Sequence, residues 1–168
     1  VNYNQHPVNN VVWVDANCVQ ANDYNPNTVA PPEMKLLELS ILEDGITQPV
    51  VVYKESASLY IVVDGFHRAT VIKNNKKVRE STGGKIPIVI IEKPLENRMA
   101  STIRHNRARG KHGVEPMSDI VESLTQKGWD DAKIAKELGM DAEEVLRMKQ
   151  VKGLNIMFSN RSFSEAWE

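Results

Sequence analysis

The sequence predicts an α+β chain in which a small α/β unit is followed by an all-α unit. Two observations carry this. Before residue 94, short β-branched apolar runs alternate with helical patterns. After Pro94 the strand signals stop, and apolar residues recur only at helical spacing. The boundary is therefore placed at 94, giving an α/β unit at 1–94, a helical unit at 95–155 and a tail at 156–168.

Residues 1–30 are rich in Asn and Pro, with one apolar run, Val11-Val12-Trp13-Val14, read as a strand. Pro31-Pro32-Glu33 suits a helix start, because the missing proline N–H is not needed in a first turn. Met34, Leu37 and Ile41 share one face of that helix, and Gly45 stops it. Pro49–Tyr53 and Leu59–Val63 read as two strands joined by a polar turn. After Asp64-Gly65 the pattern turns helical and breaks at Asn74-Asn75, and Ile86–Ile91 is a third strand after Gly83-Gly84. Leu95, Met99 and Ile103 mark a helix running to Asn106. Pro116 opens another that ends near Gly128, and two short helices follow at 130–138 and 142–151, with no clear period beyond 153.

The chain has 168 residues with 21 Lys and Arg against 22 Asp and Glu, so no global charge draws it to nucleic acid. One cysteine, Cys18, excludes an internal disulfide framework and a multi-cysteine zinc site, and a reducing, cytoplasmic setting is expected. No apolar run approaches the roughly 18 residues of a membrane span, so no membrane association is expected. His67, His105 and His112 lack a recognisable ligand spacing, so no metal held by side chains alone is expected.

Residues 131–145 carry the grammar of a helix-turn-helix. Ala135 is small enough for two helices to cross, and Gly139, four positions later, tolerates positive φ in the turn. Ile134, Leu138 and Val145 would fill the wedge, with Asp130 and Asp141 as N-caps. Asp141, Glu143 and Glu144 open the second helix where phosphates would approach, leaving Arg147, Lys149 and Gln150 for DNA. That pattern predicts weak or partner-assisted DNA binding. A purely structural αα-hairpin is the competing reading.

Asp64-Gly65-Phe66-His67-Arg68 lies where a buried strand turns into a helix. Glycine permits close approach of a ligand, the helix N-terminus favours an anion, and Arg68 can fork onto phosphate oxygens. His67 adds a pH-dependent donor. A second basic cluster spans Arg98–His112, with five Arg and Lys and no acid, whereas 113–152 carries six basic and nine acidic residues. Two basic, glycine-containing segments predict a shared phosphate site at the junction of the two units. A solvated helix end is the alternative for the second cluster.

The order of these motifs resembles the ParB family, within the ParB/sulfiredoxin fold. Leu36–Val52 is similar to the family's segment that carries Gly-Leu-Ile-Gln-Pro-Ile-Val-Val at its end. Residues 64–70 resemble its nucleotide-contacting GERRxRA motif, 103–110 its IENLQRE motif, and Glu115-Pro116-Met117 the start of its next helix. The resemblance implies CTP gating of a clamp on DNA, with Gly65, Arg68, Asn106 and Arg109 as phosphate ligands and Gln48 beside them. Phe66 and His105 replace two family glutamates, which argues against family-style hydrolysis. Phe66 also stands where sulfiredoxin has its cysteine, which argues against that activity. The turn is similar too to the Asp-Gly-His-His-Arg turn of ParB-fold free-serine kinases, which makes Asp64 a candidate catalytic residue.

The expected function is therefore a ParB-like DNA-binding regulator, a transcriptional co-activator or partition-like protein of the short prophage type. CTP or ATP with Mg²⁺ is the expected ligand, held by Gln48, Gly65, His67, Arg68, Arg104, Asn106 and Arg109, and DNA, a protein partner and a second copy are the expected partners. The alternative is a nucleotide-using enzyme of the same fold, a small-molecule kinase or a nuclease, and weak nucleotide hydrolysis belongs to that reading.

Overall fold

The computed structural model describes residues 2–24, 31–107 and 114–159. Two 3-10 turns (Tyr3–Gln5, Pro7–Asn10) lead into strand β1 (Val12–Asp15), and a third (Ala16–Cys18) into the two-residue β2 (Val19–Gln20). Then come α1 (Pro31–Asp44), β3 (Val50–Ser56), β4 (Leu59–Asp64), α2 (Phe66–Asn74), α3 (Lys76–Ser81) and β5 (Lys85–Ile90). The helical part comprises α4 (Leu95–Arg107), α5 (Val114–Gln126), α6 (Asp131–Leu138) and α7 (Ala142–Ser159). The chain is α+β, as its patterning predicts.

The five strands form one mixed sheet in the order β1-β5-β3-β4-β2. β3 and β4 make an antiparallel hairpin, β5 runs parallel to β3, and β1 closes antiparallel to β5. Val50, Val52, Val62, Ile86 and Ile88 are buried on one face with Ile41 of α1 and Val71 and Ile72 of α2. Their β-branched side chains suit a pleated surface covered by helices. α3 was not legible as a helix. It exists because Asn75 caps it, its side chain accepting from the Val78 N–H at 3.1 Å, and Val78 is fully buried.

A second core joins α4 to α7 through Met99, Ile103, Ile120, Leu124, Trp129, Ile134, Leu138 and Val145. α4 touches both units. Its Met99, Ala100 and Ile103 enter the helical core, while the Thr102 hydroxyl donates to the Val63 carbonyl of β4 at 2.9 Å. That buried bond fixes α4 against the strand that delivers Asp64 and Gly65.

One expected boundary is corrected. The last helix does not stop at 151 but continues through Gly153 to Ser159. A helical glycine costs about 1 kcal/mol relative to alanine. Packing of α7 against α5, with an ion pair between Lys152 and Asp119 just before Gly153, carries the helix through. Residues 160–168 of the expected tail lie outside the described residues.

Candidate functional site

β4 runs into α2 through Gly65, which sits at φ +89°, ψ 25° and serves as the helix N-cap without any side-chain capping bond. The positive φ is what favours glycine there, and a Cβ on Gly65 would also meet Arg68 Nη2 at 2.9 Å and its Cζ at 3.3 Å, so the guanidinium would have to shift. The guanidinium thus lies directly against the turn. Its Nη1 donates to the Gln48 backbone carbonyl at 2.9 Å and to Gln48 Oε1 at 3.0 Å. Nη2 is 3.8 Å from the buried Asp64 carboxylate. Arg68 therefore clamps the loop after α1 to the start of α2.

Beside this clamp is a cavity of about 380 Å³. Leu37, Ser40 and Ile41 of α1 form one wall, the loop Gly45–Gln48 the rim, and Val63–Arg68 the floor. The size falls in the range of small-ligand sites, roughly 300–1,000 Å³. Apolar groups (Leu37, Ile41, Ile46, Val63, Phe66) meet a polar end made by Gln48, Asp64, His67 and Arg68. The first-turn N–H groups of a helix have no intrahelical partners and carry partial positive charge, so this end of α2 is suited to an anion. Burial holds the His67 imidazole below its usual pKa, which keeps it neutral at pH 7, and it packs edge-on to Phe66 at 5.2 Å.

The structure brings Gln48, Asp64, Gly65, His67 and Arg68 together at one cavity. It does not bring Arg104 there. The Arg104 guanidinium donates to Glu137 Oε2 at 2.5 Å and to the Glu137 carbonyl at 3.0 Å, at the end of α6. Arg98, from the same basic stretch, stacks 3.6 Å over the Tyr53 ring, with Nη1 3.7 Å from Glu55. Arg104 thus links α4 to α6 and is not among the residues that line the cavity. Asn106 lies in the last turn of α4, its side chain outside the described part, and Arg109 lies outside the described residues. Ser40, Thr47 and the α1 wall were not singled out in the sequence. Their apolar spacing reads as ordinary helix core, and only the path of the 45–48 loop turns them towards a cavity.

The helix-turn-helix is present. α6 is capped by Asp130, whose carboxylate accepts from Lys133 N–H at 2.7 Å, and ends at Gly139 with φ +67°. Met140 N–H bonds back to the Ala135 carbonyl at 2.9 Å, closing the turn, and Asp141 caps α7 through the Glu144 N–H at 2.7 Å. Ile134, Leu138 and Val145 are buried in the wedge. Of the three expected DNA contacts, Arg147 is 63% exposed and 3.7 Å from Glu143, and Gln150 is exposed. Lys149 differs, since its ammonium is paired with Asp131 at the start of α6. No helix among the described residues is long and apolar enough to cross a membrane.

Comparison with known proteins agrees with this architecture. Residues 2–106 match the ParB N-terminal domain and residues 112–160 the IbrB-like C-terminal HTH domain. The uncharacterized protein YbdM of Escherichia coli K12 is 49% identical over 165 residues, 98% of this chain and 79% of that protein. Among solved structures, a Pnob8-like ParB-N domain aligns with TM-score 0.55 at 10% identity, over 89% of this chain and 73% of the other. The C-terminally truncated chromosome-partitioning protein ParB of Caulobacter crescentus, complexed to the centromeric parS site, aligns with TM-score 0.53 at 18% identity, over 89% and 80%. The chain belongs to the ParB family, with a ParB N-terminal domain followed by an IbrB-like helix-turn-helix domain.

Proposed function

We propose that the chain is a nucleotide-responsive DNA-binding regulator of ParB type, acting as a transcriptional co-activator or partition-like protein. The observation that carries this is the cavity at the Gly65 turn, in which Arg68 joins the loop after α1 to the N-terminus of α2, within a chain that also holds a helix-turn-helix. Phosphates would lie against the Gly65–Arg68 turn, with Gln48 and His67 beside them. The apolar wall of Leu37, Ile41 and Ile46 suits the nucleoside. The family resemblance favours CTP, with ATP next, and adds Asn106 and Arg109 as ligands. Asp64 is the one carboxylate among the lining residues, so a Mg²⁺ arriving on the phosphates would meet it. The Caulobacter protein, complexed to parS DNA, supports DNA as the macromolecular partner.

Coupling would run through α4. Thr102 ties it to β4 next to the cavity, and Arg104 ties it to α6 of the helix-turn-helix. The test is a calorimetric screen of CTP, ATP, ADP and GTP with and without Mg²⁺, followed by DNA binding over a salt series with and without the nucleotide that binds. Binding of one nucleotide and a changed DNA affinity are expected. If no nucleotide binds, the nucleotide part is wrong.

A second reading is supported by Asp64, which is 5% exposed and lies on the cavity wall beside the glycine turn. That position suits a group accepting a proton from a small hydroxylated substrate during phosphoryl transfer. Nucleotide turnover that depends on Asp64, in a chain that binds no DNA even at low salt, would establish the enzyme instead.

A further inference from the structure

The two edges of the sheet are finished differently. β2 is only two residues long, and Asn22 Nδ2 just beyond it donates to the Val62 carbonyl of β4 at 2.6 Å. A short edge covered in this way is poor at recruiting another strand. Among the described residues β1 has no such protection. It spans Val12–Asp15 at the opposite edge, and residues 2–14 contain no Asp, Glu, Lys or Arg. Tyr3, Val8, Val11, Val12 and Trp13 are all exposed, Trp13 by 52%.

The backbone direction along β1 follows from its register. Ala16 N–H bonds to the Gly84 carbonyl, and β1 pairs with β5 as Val12↔Ile88, Trp13↔Pro87 and Val14↔Ile86. On the far side of β5, Ile91 N–H bonds to the Val52 carbonyl of β3. Because main-chain groups alternate sides along a strand, Ile86 and Ile88 serve β1, and Val12, Val14 and Ala16 answer them. Pro87, which has no N–H to give, faces the other way. Val11, Trp13 and Asp15 therefore turn their N–H and C=O groups outward, away from the sheet.

We propose that β1 is a dimerisation edge that pairs antiparallel with β1 of a second copy. The occupant is argued from symmetry and charge. Antiparallel pairing of a strand with itself is two-fold symmetric, so the outward groups of Trp13 meet those of Trp13 of the second copy. Val11 then meets Asp15 of the second copy. Residues directly opposite in such a hydrogen-bonded pair have Cα atoms about 5.5 Å apart, close enough for the two indoles to pack side by side. Residues 2–14 face their own copy without like-charge repulsion, and Asp15 of each copy lies across from Val11 of the other rather than from a second carboxylate. A charged peptide partner, by contrast, would find no Asp, Glu, Lys or Arg to pair with along residues 2–14. The sheets of the two copies become continuous, and the surface lies apart from both the Gly65 cavity and the helix-turn-helix.

Sedimentation equilibrium of the whole chain, without nucleotide or DNA, should show a monomer–dimer equilibrium. Trp13→Lys puts two ammonium groups across the two-fold axis and should weaken association at least about tenfold, with an unchanged circular dichroism spectrum. Leu146→Lys, at an exposed apolar position on α7, should leave it unchanged. Hydrogen exchange supplies the backbone readout, because the Trp13 amide should slow as concentration rises while that of Val12 is protected throughout. A chain that stays monomeric, or a dimer that survives Trp13→Lys with a freely exchanging Trp13 amide, overturns the proposal.

Discussion

Arg68 Nη2 lies 2.9 Å from where a β-carbon on Gly65 would stand, so a side chain there would have to displace the guanidinium. One residue thus serves two needs. It supplies the left-handed turn from β4 into α2, and it leaves room for the clamp onto Gln48. Gly65→Ala should therefore lose about 1–2 kcal/mol from the left-handed backbone alone. It should also push Arg68 off Gln48. Urea unfolding measures the first effect and phosphate-ligand titration the second. Parent-like stability would show that the turn is not left-handed in solution.

Arg68→Ala removes the cation at the polar end of the cavity. Hydrogen bonds to charged groups contribute roughly 1.5–3 kcal/mol, so affinity for a phosphate-bearing ligand should fall by roughly 10- to 150-fold. Asp64 then loses the cation 3.8 Å away, so stability should drop as well. Arg68→Lys is the useful companion, because it keeps the charge but not the fork onto Gln48. Equal affinity of parent and Arg68→Ala in calorimetry would place the ligand elsewhere.

His67 makes stability depend on pH in one direction. Burial lowers its pKa, so below the unfolded value of about 6.5 the unfolded chain takes up a proton that the folded chain resists. Its contribution is present in full above that pH and is lost as pH falls through the folded pKa. Melting temperature should thus decline more steeply below pH 6.5 in the parent than in His67→Gln. Identical slopes would mean that the ring is freely hydrated. A bound phosphate opposes this trend by favouring the charged imidazole.

What was legible in the sequence was mostly local. Gly139 announces a left-handed turn, Gly65 a turn from strand to helix, Asp130 and Asp141 announce caps, and the β-branched runs at 50–52 and 86–90 announce strands. What was not legible depends on partners distant in sequence. Nothing near Arg104 shows that Glu137 will take its guanidinium, and nothing near Lys149 shows that Asp131 will take its ammonium. β2 is too short to carry an alternating pattern. The α1 wall of the cavity reads as core because Leu37 and Ile41 are apolar, and only tertiary placement opposite Gly65 makes them a lining.

In the helix-turn-helix, two small residues do different work. Ala135 is half-buried against the core, so Ala135→Leu should overpack and cost about 1–3 kcal/mol. A methyl group added at Gly139 would have nothing within 4 Å, so Gly139→Ala meets no clash and suffers only from its positive φ. That cost is about 1–2 kcal/mol. Thermal unfolding of both variants checks the pair, and Ala135→Ser should be milder than Ala135→Leu.

The second helix of that motif carries its own brake on DNA. Asp141, Glu143 and Glu144 stand at its start, where phosphates would come closest, and Lys149 is occupied by Asp131. Of the two cations expected to meet DNA, Arg147 is the exposed one that remains, and Glu143 lies 3.7 Å from it. Glu143→Gln should release Arg147 and remove one repulsive charge, tightening non-specific DNA binding. Because each phosphate contact releases counterions, the slope of log affinity against log salt should steepen by about one. Arg147→Ala should abolish that gain, whereas Arg104→Ala, whose guanidinium is held by Glu137, should leave the slope unchanged. A salt titration of the four proteins on one duplex decides the matter. A parent-like slope for Glu143→Gln would mean that α7 does not approach DNA, and a shallower slope for Arg104→Ala would place the basic stretch on the DNA surface.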